Sequence, residues 1–347
     1  MELGSNFDLD ISDLCYKSNN VKEYLRENNA WYGNCGRAAI KKCIKSYEKG
    51  KVLLPTYICK SVIDCFSENF EIDFYMVNEN FEIDLVDLEE NLNDEVTIVY
   101  LMHYFGKLQS KEALNFLEKK KRQLEFIILE DTTHCFLTRK KTIGDIQVCS
   151  LRKWFPIPDG GVVYSTNYKV TANEEDEDSF SARVTEAMIL KFMAIHGEIN
   201  KNELYRKRFS EYEQILNKQT DLYRISKMAE TIMECMDLTE IIGKRKKNWN
   251  YVNTNLQNKK VIPVYSENAE QFVPFTFPVW AEERDKLREY LIENHIYCAV
   301  HWPIEDERQT KVGNTTKISE HILSLPIDQR YDETHLEYMI EVISKYS

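Results

Sequence analysis

Apolar and polar positions along the first half of the chain alternate between two periods. Short continuous apolar runs typical of buried strands are separated by segments with apolar residues at helical spacing. Strands are predicted at 51–55, 70–77, 96–102, 126–129, 146–150 and 161–165, and helices at 36–47, 58–66, 85–92 and 111–122. Strands that are apolar on both faces and alternate with helices indicate an α/β fold with a mainly parallel sheet, covered on both sides.

The pattern changes after about residue 168. The acidic run 173–178 is typical of a solvated loop, and residues 181–237 are strongly charged with helical spacing. Beyond them the pattern predicts a helix from 244, strands at 272–280, 296–301 and 323–327, and helices at 282–294 and from 333 onward. We therefore predict a large domain over 1–240, with an N-terminal segment and the helical 181–237 region, and a small C-terminal α+β domain over 241–347.

Charge and hydropathy exclude several classes of protein. The 347 residues can bury a sizeable core, and the formal net charge of -12 disfavours nucleic acid as a partner because phosphate backbones attract basic surfaces. No apolar run is long enough to span a bilayer, and the N-terminus lacks the basic and apolar blocks of a signal peptide. We therefore expect no membrane segment and a cytoplasmic location.

The cysteines and histidines argue against disulfides and metal sites. The nine cysteines are scattered, form no CxxC pair and are odd in number, as is typical of buried thiols in a reducing compartment. The seven histidines are equally dispersed. We therefore expect no metal.

Polar residues with the chemistry of a cofactor site follow two of the predicted strands. Asp131 and His134 come shortly after strand 126–129, and Lys153 follows strand 146–150. Because parallel sheets bind ligands beyond the carboxyl ends of their strands, these side chains are placed to serve one ligand. Pyridoxal phosphate needs an amine for its aldehyde, a carboxylate for its ring nitrogen and a partner for its ring oxygen, and this set supplies all three.

Each of these residues also has a purely structural interpretation. An isolated aspartate such as Asp131 is more typical of a cap or turn, a single histidine such as His134 is more often structural, and a lysine such as Lys153 is usually solvated. Apolar neighbours on both sides of Lys153 favour a desolvated amine, which is a usable nucleophile. The helix that opens at Gly36 offers free amides and a dipole that favour a phosphate, although most such turns only cap.

In chain order, these segments resemble the DegT/DnrJ/EryC1/StrS family of pyridoxal-phosphate-dependent sugar aminotransferases over most of the sequence. The resemblance is carried by Gly36-Arg-Ala-Ala-Ile, Val52-Leu-Leu-Pro55-Thr-Tyr-Ile-Cys59, Val99-Tyr-Leu-Met-His103-Tyr-Phe-Gly106, Ile128-Leu-Glu-Asp131-Thr-Thr-His134, Ser150-Leu-Arg-Lys153 with Asp159-Gly-Gly161, Arg284-Asp-Lys-Leu-Arg-Glu-Tyr-Leu291, His301-Trp-Pro303 and Leu323-Ser-Leu-Pro326. Each piece alone is unspecific, and their common order makes the set specific. The resemblance implies the transferase fold type I, which is that of aspartate aminotransferase.

The resemblance also implies a role for each site residue. Lys153 would form the internal aldimine and then move the proton between substrate and cofactor, Asp131 would pair with the pyridine nitrogen, and His134 would bond the phenolic oxygen of the ring. The phosphate would be bound at Gly36, Arg37 and Ser150. A lysine at 153, where the dehydratase branch of the family has histidine, favours transamination.

Some positions depart from the family pattern. Arg37 stands where the family has a small hydroxyl residue, and the serine-to-lysine interval at 150–153 is shorter than usual. Cys59 aligns near the usual ring-stacking aromatic, with a tyrosine two residues earlier, so that His103 or Tyr104 would stack on the ring instead.

The resemblance implies an aminotransferase that acts on small molecules. The amino donor would be an amino acid, by family expectation glutamate, and the acceptor a keto group, with a nucleotide-linked sugar of polysaccharide biosynthesis as the candidate. We expect a homodimer in which Arg152 or Arg224 replaces the asparagine that the family sends into the neighbouring subunit. Two alternatives stay open: another fold type I enzyme, such as a lyase or an amino-acid aminotransferase, and a non-catalytic relative that binds pyridoxal phosphate or a nucleotide sugar.

Overall fold

The chain folds into two compact units. The computed structural model describes the chain except for residues 1, 13, 27–28, 46, 48, 139–141, 166–178, 198–201 and 312. The first unit comprises Met1–Ser5, Tyr47–Asp145 and Ile242–Ser347, and the second comprises Asn6–Ser46 and Ile146–Ile241. The acidic run predicted as a solvated loop lies outside the described residues.

Strands and helices alternate through most of the described chain. The strands are β1 (Leu3–Gly4), β2 (Asn29–Gly33), β3 (Gly50–Pro55), β4 (Phe70–Tyr75), β5 (Val96–Met102), β6 (Ile127–Asp131), β7 (Ile146–Cys149), β8 (Gly161–Ser165), β9 (Val261–Pro263), β10 (Phe277–Ala281), β11 (Ile296–Tyr297) and β12 (Ile322–Leu325). The helices are α1 (Val21–Tyr24), α2 (Gly36–Ile44), α3 (Lys60–Phe66), α4 (Leu85–Asn91), α5 (Lys111–Leu124), α6 (Ser179–Ile195), α7 (Asn202–Lys218), α8 (Lys227–Glu234), α9 (Leu238–Asn255), α10 (Arg284–Glu293), α11 (Gly313–His321) and α12 (Glu333–Ser344). Short 3-10 helices span Leu151–Lys153 and Glu307–Lys311.

A parallel sheet organises the first unit. Strand β3 pairs in parallel with β4 and β5, and β5 pairs in parallel with β6. Six of the seven residues of β5 are buried, because helices cover parallel strands on both faces. The predictions of a mainly parallel sheet and of a strand over 96–102 are therefore confirmed.

The strands of the second unit run antiparallel. Strand β8 pairs antiparallel with β2 on one side and with β7 on the other. The predicted bounds 161–165 of β8 are confirmed, whereas β2 has no counterpart in the sequence-based prediction. Its five residues alternate in exposure, and Trp31 is the one buried hydrophobic residue among them. The strand therefore lacks the continuous apolar run that marks the other strands.

The helical character predicted for residues 181–237 is confirmed by α6, α7 and α8. Helix α8 begins at Ser226, whose hydroxyl accepts a hydrogen bond from the backbone amide of Ala229. Such a cap satisfies one of the free amides of the first turn.

The C-terminal part of the first unit adds a small antiparallel sheet with the order β12-β10-β9. The strand predicted over 272–280 is shorter, because the buried guanidinium of Arg245 binds the carbonyl oxygens of Pro274 and Phe275, at 3.2 and 2.8 Å, and holds that segment out of the sheet. Burial lowers the pKa of Arg245 to about 10. Strand β9 and helix α11 were not predicted. Side chains of this part and of the parallel sheet form one hydrophobic core.

The chain crosses from the second unit to the first between residues 241 and 242, beside the predicted domain boundary at 240. The division into a large and a small domain stays a prediction. Among the described residues, no helix is both long and apolar enough to cross a bilayer.

Candidate functional site

The ends of β5 and β6 hold the acidic residue singled out by the sequence. In their parallel register Met102 lies beside Asp131 and Tyr100 beside Leu129. Because side chains alternate across a strand, Tyr100 and Asp131 project from the same face of the sheet. The Tyr100 hydroxyl donates a hydrogen bond of 2.7 Å to Oδ2 of Asp131, and the amide of Thr133 donates one of 2.8 Å to Oδ1.

Asp131 is buried and nevertheless keeps hydrogen-bonding capacity. Its relative exposure is 6%. A carboxylate offers about four lone-pair positions, and the bonds from Tyr100 and Thr133 occupy two of them. The group can therefore accept a further donor without losing the partners that fix its orientation.

The opposite face of the same strand ends carries a buried hydrogen-bond network. Leu101 lies beside Glu130 in the register, so that Glu130 and His103 share the face opposite Asp131. Nε2 of His103 lies 2.6 Å from Oε1 of Glu130, and both side chains have no exposed area. The amide of Gln109 donates to Nδ1 of His103 at 3.0 Å, which leaves Nε2 as the protonated nitrogen that donates to Glu130.

His134 lies inside a group of aromatic rings. Its ring stacks on Phe275, at a centroid distance of 4.3 Å and an interplanar angle of 22°, and on Trp302, at 5.1 Å and 25°. His301 meets it edge-on at 5.1 Å. The His134 side chain has no exposed area, so its orientation is set by packing on both faces of the ring.

Tyr104 and Cys59 lie at neighbouring strand and helix ends of the first unit. The Tyr104 hydroxyl donates to the carbonyl of Tyr57 at 2.7 Å, and its buried ring packs tilted against Tyr57 at 6.0 Å. Cys59 is the N-cap residue of α3, and its sulfur lies 3.1 Å from Oγ of Ser61. The ring of Tyr104 thus serves the core.

In the second unit, the N-terminus of α2 approaches the end of β7 closely. A Cβ atom on Gly36 would lie 3.0 Å from Cβ and 3.5 Å from Oγ of Ser150. One on Gly161 would lie 2.1 Å from the carbonyl oxygen of Cys35. Gly161 is therefore required by close backbone approach, and Gly36 allows the helix N-terminus to pack tightly on Ser150. We call Cys35, Gly36, Ser150 and Gly161 the Gly36 turn.

The Gly36 turn presents backbone donors and a hydroxyl together. Among the described residues, the N-cap Cys35 makes no side-chain hydrogen bond to the first turn of α2. The first amides of the helix and its dipole then favour an anion beside the hydroxyl of Ser150.

The Asp159-Gly160-Gly161 motif fixes the loop before β8. Both carboxylate oxygens of the buried Asp159 accept hydrogen bonds from Ser226, one from its hydroxyl at 2.7 Å and one from its amide at 3.0 Å. Gly160 has a φ of 149°, a conformation that glycine adopts readily and other residues rarely adopt. Its amide donates a hydrogen bond to the carbonyl of Asn34 at 2.8 Å. The aspartate of the motif is thus structural.

Lys153 ends the 3-10 helix Leu151–Lys153. We expected its apolar neighbours to bury it, and this expectation is wrong: Lys153 is exposed, while Leu151, Trp154 and Phe155 have no exposed area. The tight turn directs Leu151 and Lys153 in different directions. The amine is therefore accessible to a ligand.

Two arginines beside Lys153 are held by α7. Nη1 of Arg152 bonds Oε1 of Glu213 at 3.0 Å, and Nη1 of Arg37 bonds Oδ1 of Asn217 at 2.7 Å. Burial works to raise the pKa of Glu213, but the charges of Arg152, Arg37 and Lys153 hold it below its usual value. Within the described chain, no cluster of three or more His, Cys, Asp or Glu side chains is arranged to hold a metal ion.

The structure groups the predicted residues in two sets. Asp131, His134, His103, Tyr104 and Cys59 belong to the first unit, and Gly36, Arg37, Ser150 and Lys153 to the second. Of the other two arginines singled out, Arg152 pairs with Glu213, and the backbone of Arg224 forms an antiparallel bridge with Gly33. Sequence reasoning missed Tyr100 and Glu130. Alternation along β6 could have indicated Glu130, because it places this residue on the face opposite Asp131, whereas Tyr100 could be found only from the register between β5 and β6.

Comparison with known proteins identifies the family of the chain. A model of the DegT/DnrJ/EryC1/StrS aminotransferase family matches residues 72–344. No curated protein matches the chain.

Solved structures match over nearly the whole chain. The putative sugar aminotransferase Spr1654 from Streptococcus pneumoniae in its PLP form has a TM-score of 0.67 and 14% identity, with 99% of this chain and 98% of that chain covered. DesV from S. venezuelae, in complex with a ketimine intermediate, has a TM-score of 0.66 and 15% identity over 93% of this chain and 87% of that chain. The sugar aminotransferase CalS13 from Micromonospora echinospora has a TM-score of 0.65 and 14% identity over 94% and 90%. The predicted fold class is confirmed.

Proposed function

Because the chain belongs to the DegT/DnrJ/EryC1/StrS aminotransferase family, we propose that it transfers an amino group from an amino acid to a keto group of a sugar, with pyridoxal phosphate as its cofactor. The observation that carries the proposal is the buried Asp131 carboxylate, fixed by two donors and able to accept a third. Similar structures described as PLP and PMP forms support the cofactor.

The Gly36 turn fits the phosphate of this cofactor. It offers the first amides of α2 and the hydroxyl of Ser150, and a Cβ atom at position 36 would press on Ser150 at 3.0 Å. In the proposal, Arg37 and Arg152 add positive charge nearby, since guanidinium groups favour oxyanions.

Asp131 fits the ring nitrogen. When bound, pyridoxal phosphate accepts the electron pair left on the substrate carbon, and a protonated ring nitrogen strengthens that acceptance. The ionised carboxylate of Asp131 would accept the hydrogen bond of the protonated nitrogen and stabilise its positive charge.

Lys153 supplies the amine in the proposal. It would hold the cofactor aldehyde covalently and, once released by the substrate, would carry a proton between the substrate carbon and the cofactor. Its exposure suits a group that must meet both partners. His134, held between Phe275 and Trp302, would bond the phenolic oxygen. His103 and Tyr104 are engaged in the core and are not included.

The finer parts of the proposal follow the family. Glutamate is the proposed donor, and a nucleotide-linked sugar of polysaccharide biosynthesis is the proposed acceptor. Relatives described as sugar aminotransferases support a sugar. We further propose a cytoplasmic homodimer.

Removing the proposed amine tests the role of Lys153. Protein with added pyridoxal phosphate should show the absorbance band of a lysine-bound cofactor, and Lys153→Ala should lose it, because no other amine takes its place. Lys207→Ala, which removes a lysine that is 71% exposed on α7 of the same unit, should keep the band. An unchanged spectrum in Lys153→Ala would sink the assignment.

Addition of glutamate separates the enzyme from a non-catalytic relative. In wild type the band should be replaced by that of the amine form of the cofactor, and a screen of keto sugars and keto acids should then restore it. Restoration by keto acids alone would favour an amino-acid aminotransferase. A spectrum that no amino donor changes would favour a binding protein without activity.

A further inference from the structure

We propose that Tyr100 is a positioning residue that orients the carboxylate of Asp131 and thereby sets the protonation of the cofactor's ring nitrogen. The inference rests on the proposed function, because it requires that Asp131 faces this nitrogen. Tyr100 would act through Asp131 and would not touch substrate or cofactor.

The strand register makes the contact between the two side chains. Tyr100 lies two residues before Met102, the register partner of Asp131, so that the two side chains are diagonal neighbours on one face of adjacent parallel strands. The phenol donates to Oδ2 at 2.7 Å, a normal distance for a hydrogen bond between a hydroxyl and an oxygen acceptor. Both groups are buried.

Ring packing holds the phenol in place. The ring of Phe66 meets the Tyr100 ring edge-on, with centroids 6.0 Å apart at 88°. The Tyr100 ring has no exposed area. A movement of the ring that takes the hydroxyl away from Asp131 would have to disturb this packing. The Tyr75 hydroxyl donates to the Tyr100 carbonyl at 2.8 Å, a bond to the backbone and not to the phenol.

The bond favours one position of a shared proton. A carboxylate and a pyridine nitrogen can exist as an ion pair, with the proton on nitrogen, or as a neutral pair, with the proton on oxygen. A donor to the carboxylate stabilises only the ion pair. Since a hydrogen bond is worth more in a buried setting than in water, Tyr100 biases the pair towards the protonated ring.

The chain offers a matched control for removal of the hydroxyl. Tyr100→Phe and Tyr75→Phe each delete one buried phenolic donor from the first unit, and each should lower thermal stability to a similar extent. Only Tyr100→Phe removes a bond to Asp131, whereas Tyr75→Phe removes one to a backbone carbonyl. An effect on the ring nitrogen that is confined to Tyr100→Phe therefore cannot arise from a general weakening of the core.

The experiment is solid-state 15N NMR of protein loaded with pyridoxal phosphate that is 15N-labelled at the ring nitrogen. Wild type and Tyr75→Phe should show the protonated signal. Tyr100→Phe should reduce the ratio of protonated to unprotonated ring roughly tenfold, the effect of losing one hydrogen bond to a charged group, which corresponds to a shift of about one unit in the pH titration of the signal. Replacement of Tyr100 by 3-fluorotyrosine, a stronger donor of the same shape, should move the ratio the other way.

The variant Asp131→Asn distinguishes failure of the role proposed for Tyr100 from failure of the role proposed for Asp131. Loss of the protonated signal in this variant together with an unchanged signal in Tyr100→Phe and 3-fluorotyrosine protein would overturn the role of Tyr100 and leave the proposed function standing. A protonated signal that persists in Asp131→Asn would overturn the proposed role of Asp131 and with it the inference.

Discussion

Asp131 and Lys153, the two residues with the most direct proposed chemistry, are held in opposite ways. Asp131 is buried and fixed by donors from Tyr100 and Thr133. Lys153 is exposed at the end of a single 3-10 turn. A rigid carboxylate suits a lasting contact with the ring nitrogen, and an accessible amine suits a group that binds, releases and carries a proton. The sequence identified both residues, but their burial depends on local turn geometry that composition does not contain.

Gly36 provides a prediction at the scale of one residue. Gly36→Ala should weaken pyridoxal phosphate binding, because its methyl group would press on Ser150 at 3.0 Å and displace the hydroxyl from the helix N-terminus. The dissociation constant, measured by fluorescence titration, should rise about tenfold, the effect of losing roughly one charge-assisted hydrogen bond.

Gly243→Ala is the control for this change. Gly243 lies in helix α9 with open space around its Cβ position, so alanine should leave the cofactor affinity unchanged and raise the free energy of unfolding by about 0.5–1 kcal/mol. Equal cofactor affinities for Gly36→Ala and wild type would contradict the phosphate role of the Gly36 turn.

At the scale of elements, the sequence was most informative where burial is continuous. Strands β5 and β8 were predicted with their bounds because nearly every residue in them is buried. Strand β2 was missed because its exposure alternates and its residues are mixed. The antiparallel direction of β8 could not be predicted, since its pairing with β2 depends on a partner that is distant in sequence.

At this scale, the sequence pattern identifies some residues of the candidate site but not the hydrogen bonds between them. Polar residues that directly follow an apolar run, such as Asp131 and Lys153, can be found by pattern. The bonds from Tyr100 to Asp131 and from His103 to Glu130 depend on the register between β5 and β6, which apolar periodicity does not specify.

The connection between β12 and α12 provides a prediction on pH. Burial opposes ionisation of Asp328, but Arg330, which binds both of its oxygens at 2.8 and 2.9 Å, and the nearby Arg245 hold its pKa below the usual value. A carboxyl with a lowered folded-state pKa stabilises the fold above its unfolded value, near pH 4, and loses that contribution as pH falls through the folded value. The free energy of unfolding should therefore fall on acidification below about pH 4.

Urea denaturation of Asp328→Asn between pH 3 and 7 checks this. The variant should be less stable than wild type at pH 7, and the difference should shrink as the pH falls. Glu341→Gln, which removes an exposed i,i+4 partner of Lys345, should change little at any pH. A gap between Asp328→Asn and wild type that stays constant down to pH 3 would contradict the assignment.

At the scale of the whole molecule, 99% of this chain matches 98% of one putative sugar aminotransferase, and 94% of it matches 90% of another sugar aminotransferase. The family and fold were recognised from motifs in a common order, even though the identity to these structures is only about 14%. Within this frame, Gly161 is required by close backbone approach to Cys35, and Gly36 packs tightly on Ser150.

Reduction with borohydride followed by peptide mass spectrometry tests most directly whether Lys153 holds the cofactor. Reduction makes the bond between a lysine amine and the cofactor aldehyde permanent. We expect one modified peptide per chain, with the mass of the reduced cofactor on Lys153, and no label after prior conversion of the cofactor by the amino donor. A label on another lysine, or a chain that stays unlabelled with the cofactor bound, would contradict it.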